Sequence, residues 1–333
     1  MTADDAAVRR LTVSETDSEI RLDRWFSRHF PELPHVRLQK LLRTGQVRLD
    51  GRRAKPGDRV RAGQEIRVPP LNLSATPTRK SPSPRLPSER EIAAIRERVI
   101  YRDADVIAID KPPGLAVQGG TGTTRHLDGM LDGLRFDARE RPRLVHRLDR
   151  DTSGVLLLAR SASAAARLGE SFRGRNARKV YWAVTVGVPK PSMGRIDLPL
   201  GKSGGRGSER VRPDETDGLA AITDYRVLEA AANKLALVAL WPRTGRTHQL
   251  RAHLAAIGCP ILGDGKYGGP AAFVTGLELP RMLHLHARSI RLPHPSGRGE
   301  VSALAALPDH MRETFAMFGF DASRSDDPFA ELD

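Results

Sequence analysis

Leu22, Trp25 and Phe26 recur at the spacing of one helical face, which predicts a short helix ending near Pro31. Leu38, Leu41 and Leu42 repeat the pattern from about His35 to Thr44, with Gly45 as the stop. The alternation Gln46-Val47-Arg48-Leu49, the turn Asp50-Gly51 and the basic run after it predict a hairpin, and Glu65 to Val68 a further strand. Beyond residue 99 short apolar runs dominate: Val106–Asp110, Val155–Ala159, Lys179–Val186, Ile222–Leu228, Leu235–Leu240 and Ser289–Leu292 read as strands. Helices are expected at about 124–134, 162–173 and 247–257. Strands outnumber helices without regular alternation. That predicts an α+β fold with a mixed, largely antiparallel central sheet and flanking helices, beside a small N-terminal module.

Between these blocks the texture changes. Residues 1–17 read as a flexible tail, 18–70 as the small module and 71–90, rich in Pro and Ser, as a linker. The larger domain is expected over 91–318 and an acidic tail over 319–333. Charge sharpens this division. The 333 residues carry a net +14, and segment 18–70 holds 13 Lys and Arg against 6 Asp and Glu, half of that surplus. Arg37, Lys40 and Arg43 fall at three-residue steps on the second helix, and Arg52 and Arg53 follow on the hairpin. A cationic helix face joined to a basic hairpin points to RNA phosphates rather than to a merely solvated surface.

No apolar run approaches a membrane span, and the acidic start Met1-Thr2-Ala3-Asp4-Asp5 does not read as a signal peptide. With one cysteine, Cys259, internal disulfides and multi-Cys zinc sites are excluded, and a cytoplasmic location is expected. Gly201-Lys202-Ser203 ends like a phosphate-binding loop, but Ile196 occupies the required earlier glycine position. Gly201–Gly207 lacks a strand-to-helix setting and reads as a loop near RNA. His248 and His253 are five apart, whereas a zinc pair on a helix wants three or four. Ser153 has no nucleophile-elbow motif and reads as a turn cap.

The chemistry that remains centres on Asp149, in His146-Arg147-Leu148-Asp149-Arg150-Asp151-Thr152-Ser153-Gly154 just before an apolar strand. A carboxylate kept ionised by arginines at the mouth of a strand is a candidate nucleophile or base. The plainer reading is a structural Asp paired with Arg147 or Arg150. Two other segments favour chemistry. In Lys179–Val184, Tyr181 alternates against Val180 and Trp182, and Thr244–His253 is a glycine turn entering a helix rich in cations.

In H-R-L-D-R-D-T-S-G, K-V-Y-W-A-V, G-R-T-H-Q-L-R-A-H and C-P-I-L-G-D-G-K-Y-G-G, with the Lys111-Pro112-Pro113-Gly114 turn and the Glu209-Arg210-Val211 loop, the chain resembles pseudouridine synthases of the RluA/RluC/RluD group. It is most similar to the RluC type, which acts on large-subunit (23S) ribosomal RNA. Residues 18–70 resemble an S4 RNA-binding domain through R-L-D-R-W, L-x-K-L-L-R-T-G-Q-V-R-L-D-G and P-G-D-x-V. The resemblance implies cofactor-free isomerisation of uridine in RNA by a monomer, with no metal, nucleotide cofactor or membrane involved. It implies Asp149 as the catalytic carboxylate, attacking C1′ or removing the 2′ proton. Tyr181 would stack on the uracil, and Arg251 would orient Asp149. Arg147 would fill the vacated base stack, with Leu250 and Arg246 at the pocket. Gln118 departs from the His common after K-P-x-G and bears on substrate detail.

Two competing readings remain. One is a non-catalytic RNA-binding protein, which leaves the Asp149, Tyr181 and Arg251 set unexplained. The other is a glycosylase using Asp149 and Asp151, whose side chains, two apart on extended chain, point the same way.

Overall fold

The computed structural model describes residues 8–71, 86–119, 123–174, 176–203 and 210–332. The chain divides into two compact units, Met1–Ser81 and Pro82–Asp333.

The first unit holds β1 (Arg9–Thr12), α1 (Leu22–His29), α2 (His35–Arg43), β2 (Arg48–Leu49), β3 (Arg52–Arg53) and β4 (Glu65–Val68). Its sheet runs β1-β4-β2-β3. Asp50 and Gly51 both take positive φ, as the tight turn between β2 and β3 requires. Trp25, Phe26, Leu38, Leu42, Val47 and Ile66 form one core. The expected tail over 1–17 is corrected at its distal part. Arg9–Thr12 pairs antiparallel with Glu65–Val68, and Val13 is buried, because Leu11 and Val13 point alternately into that core. Asp17 is also buried, paired with His29 at 2.7 Å and with Arg28.

The second unit begins with α3 (Glu89–Arg96), β5 (Val99–Arg102), β6 (Val106–Lys111), α4 (Leu127–Met130), β7 (Arg143–Leu144), β8 (Ser153–Ala159) and α5 (Ala162–Arg173). It continues through β9 (Arg178–Val186), β10 (Met193–Asp197), β11 (Leu200–Lys202), β12 (Val211–Pro213), β13 (Ile222–Ala231), β14 (Leu235–Pro242) and α6 (Gln249–Ala256). It closes with β15 (Leu285–Pro293), β16 (Glu300–Leu304) and α7 (Asp309–Phe318). A ten-stranded sheet runs β10-β13-β14-β9-β15-β8-β6-β5, with β16 on β15 and β7 on β8. Only β15 and β8 pair in parallel among the described strands, so the expected α+β, largely antiparallel sheet is what forms.

Central strands are apolar throughout because both faces are covered. Along β6 and β8, Ile107, Ile109, Leu156 and Leu158 enter one core, while Val106, Ala108, Val155 and Leu157 enter another. At the parallel contact Gly154 takes φ +105°, and a Cβ there would lie 2.2 Å from the Ala287 carbonyl oxygen.

Several boundaries move. Most of the expected linker lies outside the described residues, but its end is already helical. Ser88 and Glu91 form a reciprocal cap that starts α3. The helix expected over 124–134 is one α turn followed by a 3-10 turn. Part of the glycine-rich stretch at 201–207 is strand β11, paired with β12, and its remainder lies outside the described residues. The expected acidic tail over 319–333 is docked instead. Phe320 and Phe329 are buried, and Asp327 pairs with Arg178 at 2.7 Å, so apolar anchors override the acidic composition.

Candidate active site

Asp149 sits on the loop between β7 and β8, and buried polar groups fix that loop. Lys111, at the end of β6, is fully buried and donates to the carbonyls of Pro112 (2.9 Å), Leu115 (2.9 Å) and Arg150 (3.0 Å). Burial pulls its pKa down to about 7, against the pull of Asp151 and Asp149. Three convergent acceptors nonetheless match the three N–H bonds of the charged form. On the other side, His146 Nε2 accepts from the Leu157 amide at 2.8 Å, and burial lowers its pKa to about 3, so it is neutral. Ser153 lies inside β8 with its hydroxyl 2.8 Å from His286 Nδ1, rather than capping a turn.

Tyr181 projects from β9 on the face opposite Trp182, as the alternation predicts. Trp182 enters the core behind the sheet, while Tyr181 lines the cleft. Burial, and then the charge of Asp149, raises the pKa of the Tyr181 hydroxyl, which stays protonated. Helix α6 carries Leu250 and Arg251 and is buried almost all round. Gln249 stitches it to β13, its amide donating to the Ile222 carbonyl (2.9 Å) and to the Thr223 hydroxyl (3.0 Å). Arg251 makes a paired contact with Asp264, from Nε at 2.8 Å and Nη2 at 2.7 Å. Burial works against that guanidinium, but Asp264 outweighs it, with Asp149 adding, so its pKa is raised.

These residues line two adjoining cavities. One, of about 780 Å³, is walled by Asp149, Tyr181, Leu250 and Leu285, with Arg173, Lys179, Arg195, Arg243 and Arg246 as its cations. The other, of about 770 Å³, is lined by Gln118, Asp151, Lys266 and Arg281. Arg147, Leu148, Asp149, His248 and Arg251 belong to both, so Asp149 lies where the two lobes meet. Its side chain is 18% exposed, which leaves the carboxylate reachable but not on open surface. The structure thus brings Asp149, Tyr181, Arg251, Arg147, Leu250 and Arg246 to one cleft. Asp151 lines only the second lobe and pairs with Arg150 at 3.1 Å.

The expected contact between Arg251 and Asp149 takes a different form. Arg251 is bound by Asp264, and the side chain whose ring nitrogen comes within 4 Å of the Asp149 carboxylate among the described residues is His248, at 3.8 Å. Sequence reasoning weighed His248 only as a zinc ligand. It lies just before α6 with φ +52° and ψ +22°, a left-handed conformation that turns its ring out of the helix. Its Nδ1 is 2.8 Å from the Tyr267 hydroxyl. Among the described residues, no group of three or more His, Cys, Asp or Glu is arranged to hold a metal ion.

In the first unit, Lys40, Arg43, Arg52 and Arg53 are exposed and Arg37 is half-buried. Arg53 donates to the Arg43 carbonyl, which ties the hairpin to the end of α2.

Comparison with known proteins places this architecture. The family described as RNA pseudouridylate synthase matches residues 105–256, and the S4 domain matches residues 20–66. A protein of Rickettsia conorii named ribosomal large subunit pseudouridine synthase C is 35% identical over 293 residues, covering 86% of this chain and 94% of its own length. The Escherichia coli protein of the same name is 34% identical over 313 residues, covering 93% and 96%. The solved structure of human RNA pseudouridylate synthase domain containing 4 superposes with a TM-score of 0.58 at 31% identity, over 68% of this chain and 95% of the human one. The chain belongs to the RNA pseudouridylate synthase family and carries an S4 domain. It is an isomerase acting on RNA. Among the described residues no helix is long and apolar enough to cross a membrane.

Proposed function

We propose that this enzyme converts specific uridines of large-subunit ribosomal RNA to pseudouridine, with Asp149 as its catalytic carboxylate, in the cytoplasm and without a cofactor. The observation that carries the reading is the position of Asp149, in the wall common to both lobes and flanked by Tyr181, Leu250 and Arg251. The names of the relatives from Rickettsia conorii and Escherichia coli support the ribosomal substrate.

The reaction breaks the N1–C1′ bond and joins C5 to C1′. C5 gives up a proton and N1 gains one, so nothing is oxidised and no leaving group is lost. A uridine inside folded RNA first has to leave its stack. Arg147, exposed at the rim of both lobes, is suited to fill the vacated place. Tyr181 and Leu250 supply an aromatic face and an apolar wall for the uracil, and Arg246 lies at the cleft edge. Asp149 then meets the ribose, either attacking C1′ or removing the 2′ proton. Arg251, held by Asp264, keeps positive charge near that carboxylate throughout. Lys40, Arg43, Arg52 and Arg53, with Arg37, supply phosphate contacts that position the RNA without reading its sequence.

The test is Asp149→Asn in the full chain. Pseudouridine formation in large-subunit RNA should fall below detection while RNA affinity stays within about threefold, because the change removes one charge among many cations. Turnover equal to wild type would refute the assignment. Free uridine, lacking every phosphate contact, should be a poor substrate.

A further inference from the structure

His248, in the cleft wall, and Tyr267, against which its ring packs, have no task in the reaction just described. The Tyr267 oxygen accepts the backbone N–H of Val211 at 3.1 Å, and an amide can only donate. The Tyr267 hydroxyl keeps its proton, since burial raises its pKa. Among the described residues, Nδ1 of His248, 2.8 Å away, is an acceptor within reach of that proton. A ring nitrogen that accepts carries no hydrogen, so the neutral imidazole bears its proton on Nε2. Nε2 faces Oδ2 of Asp149 at 3.8 Å.

We propose that His248 is a positioning residue for Asp149: Tyr267 fixes it as the Nε2–H tautomer, and that N–H holds one carboxylate oxygen while the other meets the ribose. The inference rests on the assignment of Asp149 made above. The left-handed backbone at His248 is what allows this aim. A helical φ at that position would carry the ring along the side of α6 instead of across its start. A closure of less than 1 Å, of the kind that substrate binding produces, brings Nε2 within hydrogen-bond distance of the carboxylate.

Other charged groups stand around Tyr267. The Arg251 guanidinium lies 5.1 Å from the Tyr267 ring centre and that of Arg210 lies 5.8 Å away. Asp264 is occupied by Arg251. The Asp149 carboxylate favours an N–H of the imidazole directed at it. The contact with Val211 also links β12 through Tyr267 and His248 toward the Asp149 carboxylate.

The tautomer is read by long-range nitrogen–proton correlation on the full ¹⁵N-histidine-labelled protein, where an Nε2–H pattern at His248 is expected. Tyr267→Phe should convert it to a mixture. In turnover assays His248→Gln, whose side-chain amide N–H stands in for Nε2–H, should keep kcat within about threefold of wild type, and His248→Leu should lower it by about 10- to 100-fold with little change in KM. Rescue by Gln separates aiming of the carboxylate from mere filling of space. An Nδ1–H pattern in the wild-type protein overturns the proposal whether or not any variant folds. So does a His248→Leu enzyme with wild-type kcat beside an inactive Asp149→Asn. If Asp149→Asn is itself active, the assignment of Asp149 has failed and this inference falls with it, even with the tautomer as stated.

Discussion

The N-terminal unit and the catalytic unit both concentrate positive charge, and they handle it in opposite ways. In the first, Lys40, Arg43 and Arg52 stand exposed on one helix and one hairpin, held in place by an apolar core they do not enter. In the second, the decisive charges are buried and paired: Arg251 with Asp264, and Lys111 with three carbonyls. Exposed cations serve as adjustable contacts for a flexible polyanion, each worth little alone. Buried ones fix a geometry, and each leaves a costly orphan if its partner goes. Affinity and chemistry are therefore expected to respond to different substitutions.

Acid should expose this contrast most strongly. The catalytic unit buries His286, with a pKa lowered to about 3, and His284, lowered to about 4, and half-buries His146, lowered to about 3, in each case first by burial. Against an ordinary value of 6.5, the unfolded chain binds these protons more readily than the folded one. Their stability contribution is whole above pH 6.5 and is lost as pH falls toward 4, by up to roughly 1.4 kcal/mol per pH unit for each imidazole. In the N-terminal unit, hydrogen bonds from His29 and then Arg28 hold Asp17 below its ordinary 3.8, so that contribution is lost only at still lower pH. The indole resonances of Trp182 and Trp241 should collapse between pH 6 and about 4 while that of Trp25 persists. Simultaneous loss of all three would remove the distinction.

That difference also explains what the sequence made legible. Elements whose signal is local were readable: the apolar spacing of α1 and α2, the Asp50-Gly51 turn, and the continuous apolar runs of β6, β8 and β14. So was the meeting of Asp149, Tyr181 and Arg251 in one cleft, because each sits in a contiguous motif. Interactions that span the fold were not. Nothing near His248 announces a tyrosine 19 residues later, and nothing near Arg251 singles out Asp264 as its partner. Acidic composition over 319–333 suggested a tail, because burial of Phe320 and Phe329 depends on a surface built by distant strands.

Next in size is Asp264→Ala. It leaves the Arg251 guanidinium, 7% exposed, without its partner, which should cost about 3–5 kcal/mol in urea unfolding of the catalytic unit. The double variant Arg251→Met with Asp264→Leu should regain most of that stability, since apolar groups of similar volume tolerate such a site. It should still fail to make pseudouridine. A stable and active double variant would show that the pair serves folding alone.

The smallest effect belongs to the exposed charges, and it is diagnostic by its form. Arg53 is a poor choice for substitution, because its contact with the Arg43 carbonyl supports the hairpin. Lys40→Gln, Arg43→Gln and Arg52→Gln together leave the core and both secondary elements intact. If each side chain neutralises one RNA phosphate, the slope of log affinity against log salt should flatten by roughly 2–3 in the triple variant. Affinity at low salt should fall for all RNA sequences alike, since phosphate contacts carry no base information. Stability should change by less than about 0.5 kcal/mol, the range for exposed positions, and kcat at saturating RNA should stay at the wild-type value. Titrations of RNA binding at several potassium chloride concentrations measure the slope directly. An unchanged slope would move the phosphate contacts off this helix and hairpin, and the division of labour between the two units would then need another surface to carry it.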